Sequence, residues 1–146
     1  NPAFITLILR NICAAFEGDE ESPLPFIYAF VLPPLILNSD IRLALPQRAN
    51  ALFSNWALDN RSVLVGFGQM ARDIEPLVRR SLLWGIRRGV LILGSDGLRS
   101  IDKKELRVKE PKYSELMNLA AAASLVGRWV RKASVVEVCN MLRVSP

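Results

Sequence analysis

The side chains from which reactive sites are usually built are scarce in this chain. It contains no histidine, which removes the commonest general base, the commonest metal ligand and every Ser-His or Cys-His nucleophile pair. Its two cysteines, Cys13 and Cys139, are too few for a four-thiolate zinc site and too sparse for a secreted disulfide scaffold. Neither has a Cys-x-x-Cys partner, so each reads as a small buried hydrophobe in a protein of the reducing cytoplasm. The carboxylates offer no better pair. Asp73 and Glu75 stand two positions apart on a predicted helix and do not face each other. Asp102 and Glu105 can share a face, but Lys103 and Lys104 beside them make a surface charge mosaic. Gly66-Phe67-Gly68 opens like a dinucleotide fingerprint, yet it lacks the third glycine and a preceding strand, and no phosphate-binding P-loop occurs. The expectation is a protein that is not an enzyme and takes no cofactor, metal or small-molecule substrate.

What remains is charge and apolar surface. The net charge of +5 is unevenly spread. Residues 1–60 hold three basic side chains against six acidic ones, and residues 61–146 hold sixteen against eight. The acids of the first part gather in Glu17, Asp19, Glu20 and Glu21. The bases of the second gather at Arg79, Arg80, Arg87, Arg88, Arg99, Lys103 and Lys104, which are the candidate contacts for nucleic acid or an acidic partner. Hydrophobic residues make up 51% of the chain, with a mean hydropathy of +0.22. Such a surplus suits a chain that buries surface against a partner as well as within itself. Phe4, Leu7, Phe26 and Tyr28 in the apolar N-terminal part, with Trp129 between Arg128 and Arg131, are the candidate partner contacts. No spanning segment is expected, because the longest apolar run, Pro25 to Leu37, falls short of the roughly 20 residues a bilayer needs. The first residues lack a basic leader and a cleavage site, so no signal peptide is expected either.

The elements that must position these residues are mostly helical. At 146 residues the chain has the size of one domain, divided into apolar N-terminal helices (1–46), helices with a hairpin wing (47–104) and C-terminal helices (111–146). Asn1 and Pro2 suit the cap and first position of an amphipathic helix running to Phe16, which Gly18 ends. Phe26 to Leu37 reads as a buried helix bent or broken at Pro33-Pro34. Asn38 caps a short helix that Pro46 stops, and Ala49 to Leu58 makes another. The longest periodic stretch, Arg61 to Arg88, is a helix that Pro76 kinks or divides and Gly89 terminates. Val90–Leu93 and Leu98–Ile101 are β-prone runs joined through Asp96-Gly97, a strong hairpin mark. A charged connector from Lys103 to Lys112 leads to a helix over Tyr113–Lys132 with the small-residue run Ala120–Ala123, and Ser134 caps a last helix. The fold class is mainly α with one β-hairpin, and a long helix, a glycine and a hairpin give a winged-helix-like layout.

Several landmarks occur in an order that resembles a known group. They are Asn1-Pro2-Ala3-Phe4, the proline-punctuated Leu24 to Leu37, Arg79-Arg80-Ser81-Leu82-Leu83-Trp84-Gly85, Asp96-Gly97-Leu98, Gly127-Arg128-Trp129-Val130, and Leu142-Arg143-Val144-Ser145-Pro146. Together they resemble the middle component of bacterial three-component ABC systems, which include the Menshen type of antiphage defence. The resemblance implies a non-catalytic adaptor encoded between an SMC-like ABC ATPase and an effector, expected to be a nuclease. DNA would then be met through the complex. In the family the ending often carries a glycine before its valine-arginine-proline, which this chain lacks. The alternative from the residues themselves is a stand-alone winged-helix DNA-binding transcriptional regulator, with the arginines of the long helix and Arg99 on the duplex. Against it, the helix before the wing is heavily apolar and lacks the Asn/Gln/Arg mix of a base-reading surface.

Overall fold

The computed structural model describes residues 1–145; Pro146, the end of the last landmark above, lies outside the described residues. Among them are seven α-helices and one two-stranded antiparallel hairpin. The order is α1 (Pro2–Glu17), α2 (Tyr28–Leu37), α3 (Ser39–Ala44), α4 (Phe53–Asp59), α5 (Phe67–Arg87), β1 (Leu91–Gly94), β2 (Gly97–Ser100), a 3-10 turn (Pro111–Tyr113), α6 (Ser114–Val130) and α7 (Val135–Leu142).

Helix α1 starts as its sequence dictates. The Ala3 amide donates to Asn1 Oδ1 at 3.0 Å, and Pro2 stands in the first turn, where its missing N–H costs nothing. The helix then lies at the centre of the molecule, against α6, α5 and β2, with Ile5, Ile8, Leu9 and Ile12 buried. The closest approach to α6 is at Gly127, where a Cβ would stand 2.5 Å from the Ile12 carbonyl oxygen. Ala120, Ala122 and Ala123 are also buried on α6, so the small-residue run and Gly127 together let the two helices meet. The Thr6 hydroxyl donates to the Ser81 carbonyl at 2.7 Å and ties α1 to α5.

Helix α2 is buried as expected and is not broken at its prolines. It passes through Pro33 and Pro34 as one element, with Val31 to Ile36 buried throughout. Surrounding apolar packing outweighs the two lost backbone donors. Helix α5 also keeps Pro76 inside it, but it begins later than the periodicity suggests. Gly66, at φ +76°, sets a left-handed start, and Arg61–Val65 form turns. Helix α4 likewise begins at Phe53 rather than Ala49. Asn38 and Ser134 cap as expected, accepting from the Ile41 amide at 3.0 Å and the Glu137 amide at 3.1 Å.

The C-terminus of α5 is a Schellman motif. The Gly89 amide donates to Ile86 O at 3.2 Å and the Val90 amide to Gly85 O at 2.9 Å. Gly89 takes the left-handed conformation at φ +70°, and the chain turns directly into β1. Leu91 pairs with Ser100, Ile92 with Arg99, Leu93 with Leu98 and Gly94 with Gly97. The hairpin does not project freely. Leu24 and Leu98 exchange both backbone hydrogen bonds, at 2.9 and 2.8 Å, and fix the wing to the connector after α1. The expected layout of long helix, glycine and hairpin is therefore present, with the wing anchored near its turn.

Candidate functional site

The structure separates the residues singled out by sequence into three sets. Tyr28 and Trp129 are each 1% exposed and belong to the core. Trp129 stands with Phe53 and Trp56, at ring separations of 4.7 and 5.0 Å, and its indole N–H donates to Ala51 O at 2.8 Å. The flanking arginines suggested a surface anchor, but the helical spacing Ala122, Val126, Trp129 and Val130 turns the ring inward. Phe4 and Leu7 are half-buried, and Phe4 packs on the core. Of the five apolar candidates, Phe26 is the one left exposed.

The second set is basic and, Lys104 apart, occupied within the chain. Arg99 donates to Glu17 Oε1 at 2.8 Å and to the Glu21 carbonyl at 2.9 Å, and lies 3.4 Å from Asp96. The Lys103 ammonium stands 3.8 Å from Glu17 and 4.0 Å from Glu21. Arg79 is held by Glu75 at 2.6 Å. The Lys104 side chain is exposed, and its backbone N–H donates to Asp102. That bond, with Arg10 3.1 Å away, holds the Asp102 carboxyl below the ordinary carboxylate range. Glu17 and Glu21 of the early acidic cluster thus hold Arg99 of the hairpin and Lys103 of its connector.

The third set remains open. Arg80, Arg87 and Arg88 are exposed and have no ion-pair partner among the described residues. Arg88 lies over the Trp84 ring, 5.2 Å from its centre. With Pro2 and Leu83 they line a hollow of about 360 Å³.

On the other flank of α5 is a feature that the sequence did not announce. A groove of about 830 Å³ runs between α5, the start of α2, the hairpin and the segment after α7. Phe26, Leu83, Ile86 and Leu93 project into it, and they are 43%, 54%, 37% and 48% exposed. Arg72, Arg79, Glu75 and Arg143 supply its charges. Phe26 and Phe30 stack edge to face at 5.4 Å along one wall. Four separate segments assemble this groove, so no local pattern marks it. The partial signal was the placing of Leu83 and Ile86 among arginines on one helix.

Asn11, another residue not singled out, is wholly buried and organises the charged connector. It accepts from the Leu106 amide at 2.9 Å and donates to the Leu106 and Ala120 carbonyls at 2.9 and 3.3 Å. Burial pushes the Cys13 thiol, the Tyr28 phenol and the Cys139 thiol upward, so all three are held neutral. No group of three or more His, Cys, Asp or Glu among the described residues is placed to hold a metal ion. No helix there is long and apolar enough to cross a membrane.

A helical domain with an anchored wing and an apolar groove is a plausible subunit of a larger assembly, and family comparison places it in one. The profile of the ABC-three component (ABC-3C) system Middle Component 3 matches residues 1–146, and the chain belongs to that family. No curated protein and no solved structure shows significant similarity to it. It is therefore the middle component of a three-component system and has partner components.

Proposed function

We propose that this middle component is a non-enzymatic adaptor that links an SMC-like ABC ATPase to an effector, a nuclease, in a cytoplasmic bacterial antiphage complex. The observation that carries this reading is the double surface of α5. One flank is an apolar groove with exposed Phe26, Leu83, Ile86 and Leu93. The other is the hollow with Trp84, Arg80, Arg87 and Arg88. Exposed bulky apolar side chains gathered in one concave site mark a protein interface more than a solvated surface. Two unlike surfaces on one rigid helix suit a subunit that holds two partners. Nucleotide or DNA binding by the ATPase would change how the subunit holds the effector. Most of the apolar surplus of α1 and α2 is spent on the chain's own core, so α5 and the hairpin, together with Phe26 and Phe30 at the start of α2, supply the contacts.

Co-expression with the other two components tests this. Capture through this chain, followed by light scattering, is expected to give a complex containing both neighbours. Recovery of this chain without either would overturn the adaptor role. The DNA-binding regulator is the second reading, favoured by the unpaired Arg80, Arg87 and Arg88. It requires affinity that falls steeply with salt together with preference for one operator sequence. Salt-sensitive binding without sequence preference fits DNA met by the assembled complex instead.

A further inference from the structure

The groove along α5 has two unlike ends, and we propose that it receives an amphipathic helix of a partner component, with carboxylates in its first turns and a bulky apolar stripe after them. This deepens the adaptor reading and rests on it. The α5 wall runs through Gly68, Arg72, Glu75, Arg79, Leu82 and Ile86. Their spacings alternate between four and three, which makes one continuous stripe of about five turns, or roughly 27 Å. That length and an apolar floor match the helix-in-groove mode of recognition, read by anchors at i, i+3, i+4 and i+7.

The ends set the charge and direction of the occupant. At the Gly68 end are Arg72 and Arg143, whose backbone oxygen stands 3.3 Å from where a Gly68 Cβ would be. At the Ile86 end are Leu93 of the hairpin and Leu83. The one carboxylate of the lining among the described residues, Glu75, is already held by Arg79. The Gly68 end is therefore cationic and the hairpin end apolar. Carboxylates are most stable in the first turn of a helix, so the occupant lies with its N-terminus at Arg72 and its apolar turns at Leu93. An extended nucleic-acid strand would leave the apolar floor unused. A second copy of this chain would offer its acidic run Asp19–Glu21 in a turn, and its helices with an acid in the first turn, α3, α6 and α7, already bury apolar residues in its own core.

The test uses the full chain co-expressed with the other two components, captured through this chain. A photo-crosslinking residue at Leu93 is expected to join a helix of one partner that carries Asp or Glu in its first turns. Leu93→Glu, and separately Arg72→Glu with Arg143→Glu, are expected to weaken capture of that same partner at least ~10-fold, the scale of an interface hot spot. Circular dichroism checks that each variant folds, and Leu93→Ser replaces Leu93→Glu should it not. If the wild-type complex forms and no groove variant weakens it, the groove proposal is wrong and the adaptor role stands. If the wild-type chain captures neither component, the adaptor role falls and this inference with it. Loss on Leu93→Glu but not on the double arginine reversal rules out the acidic occupant. A cross-link to another copy of this chain, or to DNA, rules out a partner helix.

Discussion

At Glu17 the chain keeps a carboxylate almost out of water, with a side chain 3% exposed, and Arg99 reaches it from the hairpin at 2.8 Å. Glu17 Oε2 has no hydrogen-bond partner among the described residues, so the charge rests on Arg99, with Lys103 3.8 Å away. Removing one member of a buried pair strands the other's charge. Arg99→Ala is therefore expected to cost about 3 kcal/mol in urea denaturation, the low end for such pairs because Lys103 remains. Adding Glu17→Gln to Arg99→Ala should recover more than half of that loss. A double variant no more stable than Arg99→Ala would show that the ion pair is not the cause. Cys13 makes a second residue-level prediction. Burial, and secondarily Glu17, raises its thiol well above the ordinary 9.0. The unfolded chain then loses this proton at lower pH than the folded one. Stability is unaffected by Cys13 below pH 9 and falls above it, by up to about 1.4 kcal/mol per pH unit. The Tyr28 phenol, also raised from its ordinary 10.0, adds to the fall at higher pH. Urea midpoints measured from pH 8 to 10.5 should decline, and Cys13→Ala should make the decline shallower whatever it does to the midpoint at pH 8.

Between elements, the meeting of α1 and α6 depends on a missing side chain. Gly127→Ala gains about 1 kcal/mol of helix propensity. Its Cβ would press on backbone, 2.5 Å from Ile12 O and 3.2 Å from Phe16 N, where no rotamer change gives relief. Overpacking of this kind costs about 3 kcal/mol, so a net loss of about 2 kcal/mol is expected in chemical denaturation. A variant as stable as the wild type would mean that α1 and α6 part without penalty. This scale is also where the sequence was most and least readable. Local chemistry announced the caps at Asn1, Asn38 and Ser134, the stop at Gly89 and the Asp96-Gly97 hairpin, because each depends on a few adjacent residues. Elements governed by distant packing were misjudged. Apolar periodicity ran past Gly66 and predicted helix over Arg61–Val65, and spacing alone left bend or break open at the two prolines of α2, where burial keeps one element. Trp129 was read from its charged neighbours in sequence, although its neighbours on the helix face are apolar. The groove depends on four segments brought together by the fold, and only Phe26 of its exposed apolar lining was singled out beforehand.

For the molecule as a whole, the charge division of the sequence is partly cancelled by folding. The early acids Glu17 and Glu21 meet Arg99 and Lys103, and Glu75 meets Arg79. The contacts of Glu17 and Glu21 tie the hairpin and connector to the end of α1, and Arg80, Arg87 and Arg88 around Trp84 are left without ion-pair partners among the described residues. Arg99 and Lys103 thus support the fold, and the arginines around Trp84 are available to a partner. The two surfaces adjoin on α5, with Leu83 as the ridge between them. The proposed adaptor role implies that the two partners are held through different side chains, so that the two contacts can be broken one at a time. Arg87→Glu with Arg88→Glu should cost no more than about 2 kcal/mol, from the lost Trp84 contact and from two acids at the C-terminus of α5. It should also release the component held at the Trp84 hollow while the groove still retains the other. Leu93→Glu should do the reverse, and Leu83→Glu, on the shared ridge, should weaken both. Quantifying each component in pull-downs of these variants distinguishes this arrangement from a single continuous interface. In that case every variant would lose both partners together, because neither flank of α5 would act alone.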